Sequence, residues 1–518
     1  MTISRRDFLK ASGLVAAWTA LAACAPNTQT ASTPTEPAQS PTQTATPQSL
    51  PDPTQTVVPS ATPVPGGEAL LQHTLRRLTF GPTPEMFAKA RSLGLEAFVE
   101  EQLSPDLIPD PEMDARLQPF RTLNMTVGQR LELNENIRSA RELIDATILR
   151  QRHSQRQVFE MLVDFWGNHF SIYIGKFLCK VLKTDDDLKT IRPNALGKFR
   201  DLLHASARSP AMLVYLDQAE SMGDSPNENY ARELLELHTV GVESDYSHHD
   251  VAELARVLTG WTVTGVRNRN RNMEPGVYYF DPEIHDYGEK HVMDMMISPA
   301  GLAEGGMILD MLASHNSTAH FISKKLARRF VSDSPDPAFV DALAQVFIES
   351  DGDTRQLLRV LLSSEAFKTS AGMKFKKPLD FFISTLRLTD TNITGNSRKL
   401  LEELQLLGQV PFSWLMPDGY PDVAEYWATT SGMLDRWNFG FMLVSNVIIG
   451  AEVDLAALTK DAASAEDVVD VLSIRFLGDR MPDDARAILV DLASSNNLDV
   501  IIPSVAGMIL GSPHFQVR

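Results

Sequence analysis

The chain has 518 residues, 43% of them hydrophobic, which is enough for one large domain or two of ordinary size. It carries 48 Lys and Arg against 66 Asp and Glu, so its formal net charge at pH 7 is −18. This acidic excess argues against binding to nucleic acid or to an anionic bilayer surface, because both need clusters of Lys and Arg.

The first residues predict an export signal with a lipid anchor. Ser4–Lys10 contains adjacent Arg5 and Arg6 and fits the twin-arginine export pattern, and the apolar stretch that follows is too short to span a bilayer. Leu21–Cys24 resembles the cleavage box of bacterial lipoproteins. We therefore expect residues 1–23 to be removed and Cys24 to be acylated. The predicted location is the outer face of the cytoplasmic membrane or elsewhere in the cell envelope, with the lipid as the membrane contact.

Residues 24–66 predict a linker. From Asn27 to Gly66 the chain consists mainly of Thr, Pro, Ser, Gln and Ala, without Lys or Arg, and its only charged residues are Glu36 and Asp52. Such a segment cannot bury enough apolar surface to offset the entropy of ordering, so we expect it to be disordered.

From Gly67 onward the pattern predicts helices. Thr83 followed by Pro84 is typical of a helix start, and residues 157–170 repeat apolar side chains at helical spacing. Ser225 with Glu228, and Ser247 with Asp250, predict capping boxes at two further helix starts. Other helices are expected at about 302–313, 317–331, 337–349, 354–363, 378–387 and 398–407, with two or three more after 432.

One β-hairpin is predicted in the middle of the chain. Its strands would be Val277–Phe280 and His291–Ile297, joined by a turn through His285–Gly288. The expected fold class is therefore mainly α, a large multi-helix domain with one small β-hairpin. A break in the pattern near Lys374–Pro378 divides a main helical domain, 67–375, from a C-terminal helical part, 376–518, which we expect to pack on the first.

Several segments resemble a bacterial family known as domain of unknown function 1800. They share the family's order along the chain and are Leu75–Thr83, Phe165–Phe170, Asn227–Thr239, Leu254–Trp261, His285–Lys290 and Pro417–Pro421. The resemblance implies an exported, largely helical and biochemically uncharacterised protein. Genes of this family often lie beside a gene for a second exported protein, which implies a partner. The family supplies no established catalytic residue.

The histidines suggest a metal site. Nine of the 12 lie between residues 169 and 320, and imidazole is the commonest metal-binding side chain. Together with nearby carboxylates they predict a divalent transition-metal site on facing helices, made by His169, Glu233, His238, His285 and Asp286.

Each of these residues also has a purely structural interpretation. His169 continues an apolar stripe and would then bond a backbone carbonyl, and His238 would interact with a helix dipole. Asp286 would stabilise its own turn. Arg232 lies four residues from both Glu228 and Glu236, which is typical of a salt-bridged helix face.

Aromatic residues are concentrated between residues 412 and 439, where seven occur: Phe412, Trp414, Tyr420, Tyr426, Trp427, Trp437 and Phe439. Rings beside the Asp418-Gly419 turn suggest a binding surface, with Trp414, Tyr420 and Trp427 contacting a glycan or an exported partner protein. The alternative is that the rings pack the C-terminal helices.

Two hypotheses for function follow. The first is a lipid-anchored, metal-dependent enzyme of the cell envelope that uses the His/carboxylate site. The second is a non-catalytic envelope protein or scaffold that recognises a glycan or an exported partner through its aromatic residues. The motifs of P-loop proteins, serine hydrolases and zinc peptidases do not occur in the sequence.

Overall fold

Helices make up most of the chain in the computed structural model, which describes residues 66–133, 137–266, 273–393 and 398–518. The mainly α fold class is confirmed. The longer helices in these ranges are Gly67–Leu78, Pro84–Leu93, Leu95–Gln102, Ile137–His153, Gln157–His169, Phe199–Ala207, His248–Leu258, Leu302–Ser314, Asn316–Phe330, Pro337–Glu349, Thr354–Ser363, Pro378–Leu388, Arg398–Leu407, Thr430–Val444, Ala465–Leu477, Asp483–Ser494 and Leu498–Gly511.

Shorter helical segments connect these helices. The short α-helices are Pro111–Leu117, Val127–Leu131, Cys179–Asp185, Arg192–Asn194, Pro210–Tyr215, Glu228–Glu233, Glu365–Lys368, Ala424–Trp427, Leu455–Leu458 and Pro513–Gln516. The 3-10 turns are Pro105–Leu107, Arg121–Asn124, Gln218–Glu220 and Pro282–Ile284, and two π-helical segments are Asp186–Ile191 and Leu234–His238.

Local capping signals predicted most helix starts correctly. Ser247 and Asp250 form the expected capping box, in which the Ser247 side chain accepts from Asp250 N and the Asp250 side chain from Ser247 N. The other predicted box differs, because the helix Glu228–Glu233 is capped by the side chain of Asn227 and not by Ser225. Asn227 lies directly before the first helical residue, so its carboxamide reaches the free backbone N–H of Asn229.

Of the predicted hairpin, the first strand is correct, whereas the second strand and the pairing are wrong. Tyr278–Phe280 pairs antiparallel with Trp261–Val263, and Lys290–Val292 pairs with Met295–Ile297. The second pairing joins two parts of the stretch that the sequence predicted as one strand, because Met293 at φ 52° starts a tight reversal there. A third small sheet in the described ranges pairs Asn392–Ile393 with Ala451–Glu452.

One large hydrophobic cluster joins residues on both sides of position 375. It contains Trp166 and Leu326 as well as Phe382, Phe439 and Phe515. Burial of this apolar surface is the main stabilising contribution for such a domain. Cys179 lies in the same cluster as a free thiol, and burial raises its pKa to about 12.

Buried charges tie the chain's last residues to its interior. The guanidinium of Arg77 donates to the carbonyl oxygens of Phe330, Ser370 and Arg518. Asp380 accepts from Arg329 at 2.9 and 3.1 Å, and Arg518 Nη2 lies 3.1 Å from the same carboxylate. Despite burial, these arginines hold the pKa of Asp380 far below its usual range, so the carboxylate is ionised.

Candidate functional site

The C-terminal end of the helix Gln157–His169 contacts several of the predicted site residues. His169 is buried, and its Nε2 lies 3.1 Å from the carbonyl oxygen of His238. A carbonyl only accepts, so Nε2–H donates, and the bare Nδ1 accepts from Lys325 Nζ at 2.9 Å. Burial and then the charge of Lys325 hold the pKa of His169 well below its usual value, so the imidazole is neutral.

His238 lies beside His169, with 6.1 Å between the ring centroids. It ends the π-helical segment Leu234–His238, and such segments are frequent at functional sites. Burial, reinforced by Lys325, lowers the pKa of His238 to about 3. Its Nε2 is buried and meets no hydrogen-bond partner among the described residues. Two of the five predicted ligands are therefore neighbours, but His169 already has a bond at each ring nitrogen.

Lys325 is a site residue that the sequence analysis missed. Burial lowers its pKa to about 8, even though Asp418 and Asp422 act in the opposite direction through space. It lies on the helix Asn316–Phe330 next to Lys324, and adjacent lysines in a strongly acidic chain were the signal that could have identified it.

His285 and Asp286 belong to a different cluster. His285 Nδ1 bonds the carbonyl oxygen of Thr259 at 2.8 Å, and its Nε2 lies 3.2 Å from Glu304 Oε1. Asp286 accepts from Arg256 at 2.7 and 3.2 Å, and this guanidinium lowers the pKa of the Asp286 carboxyl. Hydrogen bonds and ion pairs thus occupy both side chains in a buried polar network.

Glu233 makes no hydrogen bond with either cluster among the described residues. It is partly exposed, and burial together with the charge of Glu236 raises its pKa. Arg232 bonds Glu228 at 3.1 Å and lies 3.7 Å from Glu236, as the structural interpretation expects. Across the described ranges, no three His, Cys, Asp or Glu side chains are close enough to hold one metal ion. The structure therefore does not gather the five predicted ligands into a single site.

The loop around Gly419 docks on the residue before His169. Asn168 Oδ1 accepts from Tyr420 N at 2.7 Å, and Asn168 Nδ2 donates to Tyr420 O at 2.9 Å. Gly419 has φ +77°, and a Cβ there would lie 2.2 Å from the Asn168 carbonyl oxygen. Only glycine allows this close approach, which positions the aromatic residues on either side.

The aromatic residues divide into a buried group and an exposed group. Tyr420 and Trp427 are buried, and they donate to the carbonyl oxygens of Val410 and Pro421 at 2.8 Å. Trp414 is partly exposed and donates to Asp418 at 2.7 Å, while its ring meets that of Tyr426 edge-on at 6.0 Å. Packing thus accounts for Tyr420 and Trp427, and Trp414 faces the surface.

Exposed apolar side chains adjoin Trp414, either next to it in the sequence or, for Tyr426, through a ring contact. Leu415 is 66% exposed, Met416 59% and Tyr426 48%. The backbone beneath them is held in place, because Tyr215 donates its hydroxyl to the Leu415 carbonyl oxygen at 2.8 Å. We refer to Trp414, Leu415, Met416 and Tyr426 as the 414–426 surface. Such a group of exposed apolar side chains is typical of an interaction surface.

The sequence of the helical domain matches a known protein family. The family described as protein of unknown function (DUF1800) matches residues 73–517. The chain belongs to this family. A twin-arginine translocation signal matches residues 2–22, so this member is exported by that route. No curated protein and no solved structure matches the chain.

The export signal and residues 24–65 of the predicted linker lie outside the described residues, as do Arg5, Arg6 and Cys24. Within the part of the chain that the structure describes, no helix has the length and apolar character needed to cross a bilayer.

Proposed function

We propose that this family member is a lipid-anchored protein of the cell envelope that binds an exported partner protein through the 414–426 surface. The observation that carries the proposal is the exposure of Leu415 and Met416 on a loop whose backbone is fixed by hydrogen bonds, and of Tyr426 on the short helix that follows. A rigid apolar surface loses little conformational entropy on binding, which favours affinity.

The side chains favour a protein over a glycan. Sugars stack on the flat face of an aromatic ring, but the Trp414 ring already has two ring neighbours, Tyr420 and Tyr426, at centroid distances of 5.0 and 6.0 Å. The most exposed groups are the aliphatic side chains of Leu415 and Met416, which offer a sugar hydroxyl no hydrogen bond. Met and aromatic residues are enriched in the buried centres of protein interfaces.

The metal-dependent enzyme has less support from the geometry. Four of its predicted ligands fall into two hydrogen-bonded clusters and Glu233 lies outside both, and Arg256 already neutralises the carboxylate of Asp286. The neutral His169 accepts from Lys325, and a metal ion would have to displace that cation to reach Nδ1.

Co-purification tests the partner surface. The protein is extracted from its native envelope in mild detergent, as wild type and as the triple variant Leu415→Ser, Met416→Ser, Tyr426→Ser. The matched control is Leu107→Ser with Ile488→Ser, which removes apolar side chains that are 78% and 65% exposed elsewhere. We expect one defined partner with the wild type and the control, and a loss of affinity of about 30-fold or more in the triple variant.

Two outcomes would contradict the partner proposal. The first is a triple variant that keeps the same partner at wild-type yield. The second is a wild-type protein that purifies without a protein partner but is retained by isolated envelope polysaccharide, with retention lost in Trp414→Ala. That second result would favour the glycan.

Fractionation tests the lipid anchor separately. We expect the mature wild-type protein to sediment with membranes and to gain the mass of acyl chains at Cys24, since an acyl chain supplies the membrane affinity. Cys24→Ala should appear in the soluble fraction after export. Membrane association that survives this substitution would contradict an anchor at Cys24.

A further inference from the structure

A cleft with a basic wall lies next to Lys325, on a different set of residues from the 414–426 surface. It has a volume of about 410 Å³. We call it the basic cleft, and its lining residues are Val240, Gly241, Val242, Glu243, Ser244, Ser317, His320, Phe321, Lys324, Lys325 and Arg328. One wall is a single face of the helix Asn316–Phe330, and the other is the loop after the π-helical segment.

Close packing of the loop against the helix forms the cleft. Gly241 has φ +87°, and a Cβ there would meet the Phe321 ring at 3.0 Å. The chain can therefore approach the helix closely at this point. Helical spacing places Phe321, Lys324, Lys325 and Arg328 on the one helix face that is turned toward this loop.

Three cations in the cleft lack ion pairs. In the described ranges, no carboxylate lies within 4 Å of the side-chain nitrogens of Lys324, Lys325 or Arg328, although acidic residues outnumber basic ones in this chain. Some exposed cations elsewhere are paired, as Lys198 is with Asp351 and Arg200 with Asp310, both at 2.8 Å. Three cations without an ion pair along one cleft concentrate positive potential there, although Asp418 and Asp422 offset part of the Lys325 charge through space.

Lys325 is held in the cleft wall by a neutral group. Its Nζ donates to His169 Nδ1 at 2.9 Å and lies 5.3 Å from the centroid of the Phe321 ring. An ammonium has three N–H donors, and the imidazole takes one of them without cancelling the charge. Arg328 similarly gives its Nε–H to the backbone oxygen of Asp333 at 3.2 Å and keeps its charge.

We propose that the basic cleft binds a phosphate-type oxyanion through Lys324, Lys325 and Arg328. A tetrahedral oxyanion accepts hydrogen bonds in several directions at once, which matches donors from side chains one and four residues apart on a helix. The hydroxyls of Ser244 and Ser317 add further donors.

The cleft is larger than one oxyanion and has an apolar side. Phe321, Val240 and Val242 line it together with the cations, so the ligand carries an organic part beside its phosphate. Glu243 is the acidic lining residue, and it is exposed, so solvent and salt screen its repulsion. An organic phosphate and a phospholipid headgroup share this chemistry.

Calorimetry at constant ionic strength tests the site on the full-length exported protein, with two probes. One is inorganic phosphate, and the other is vesicles of phosphatidylcholine containing phosphatidylglycerol, with pure phosphatidylcholine vesicles as the blank. The cleft variants are Lys324→Gln, Lys325→Gln and Arg328→Gln. The matched control is Lys198→Gln with Arg200→Gln, which removes two cations outside the cleft.

We expect saturable binding of phosphate by the wild type and the control, weakened about tenfold or more in each cleft variant. Saturable binding of the anionic vesicles alone, with the same loss in the variants, would support the proposal with a lipid headgroup as ligand. Lys324→Gln keeps the test decisive if Lys325→Gln unfolds, because Lys324 makes no hydrogen bond or ion pair with the described residues. Absence of saturable binding in both arms, or unchanged binding in Lys324→Gln and Arg328→Gln, would overturn the proposal.

Discussion

Gly419→Ala should uncouple the 414–426 surface from the helix beneath it. A Cβ at this position would lie 2.2 Å from the Asn168 carbonyl oxygen and 3.0 Å from the Asn168 side chain, so the loop has to move. An alanine at positive φ costs about 1 kcal/mol. The two bonds between Asn168 and Tyr420 contribute about 1 kcal/mol each when they break. The expected loss in the free energy of unfolding is therefore about 3 kcal/mol.

Differential scanning calorimetry measures this loss. Unfolding entropy of about 2 cal/mol/K per residue gives about 1 kcal/mol/K for a domain of this size, so Tm should fall by about 3 °C. Gly372→Ala is the matched control, because Gly372 has φ +72° but no atom within 4 Å of its added Cβ. This control should lose only about 1 °C. Equal shifts in the two variants would refute the argument, since the contact with Asn168 would then contribute nothing.

Three further predictions concern charge, pH and export. Asp380→Asn should lower the free energy of unfolding at pH 7 by about 3–5 kcal/mol in urea titrations, because Arg329 and Arg518 would be left buried beside a neutral group; a loss below 1 kcal/mol would contradict it. Burial lowers the pKa of His238 to about 3 and that of His73 to about 4, so both are neutral in the fold and protonate first in the unfolded chain. The free energy of unfolding should therefore fall as pH drops below about 6.5, by up to about 1.4 kcal/mol per pH unit for each histidine. In urea titrations from pH 7 to 4.5, the free energy of unfolding of His238→Asn should depend less steeply on pH than that of the wild type. Arg5→Lys with Arg6→Lys should leave the precursor in the cytoplasm, as detected by immunoblots of cell fractions, and unchanged export would mean that another route carries the protein.

The fold was largely predictable because helices have local signals. The Ser247 cap with Asp250 and the apolar spacing from residue 157 need only neighbouring residues, and both helices occur where expected. Strand pairing is not local. The partner of Tyr278–Phe280 is Trp261–Val263, a stretch for which the sequence predicts no strand, and no nearby residue marks that register.

The candidate site was predictable only in part. The sequence indicated that His169 and His238 matter, but it could not indicate that His169 contacts Lys325, 156 positions later in the chain. Periodicity likewise did not separate exposed Tyr426 from buried Trp427, because a one-turn helix such as Ala424–Trp427 is too short for a clear apolar face.

Site-specific photo-crosslinking in intact cells tests the central claim most directly. A photoreactive residue replaces Met416, which is 59% exposed in the 414–426 surface, or Ile488, which is 65% exposed elsewhere. We predict one crosslinked exported protein of defined mass from position 416, and its disappearance when Leu415→Ser and Tyr426→Ser are added. Crosslinks that are absent at position 416, or the same at positions 416 and 488, would contradict a partner-binding surface there.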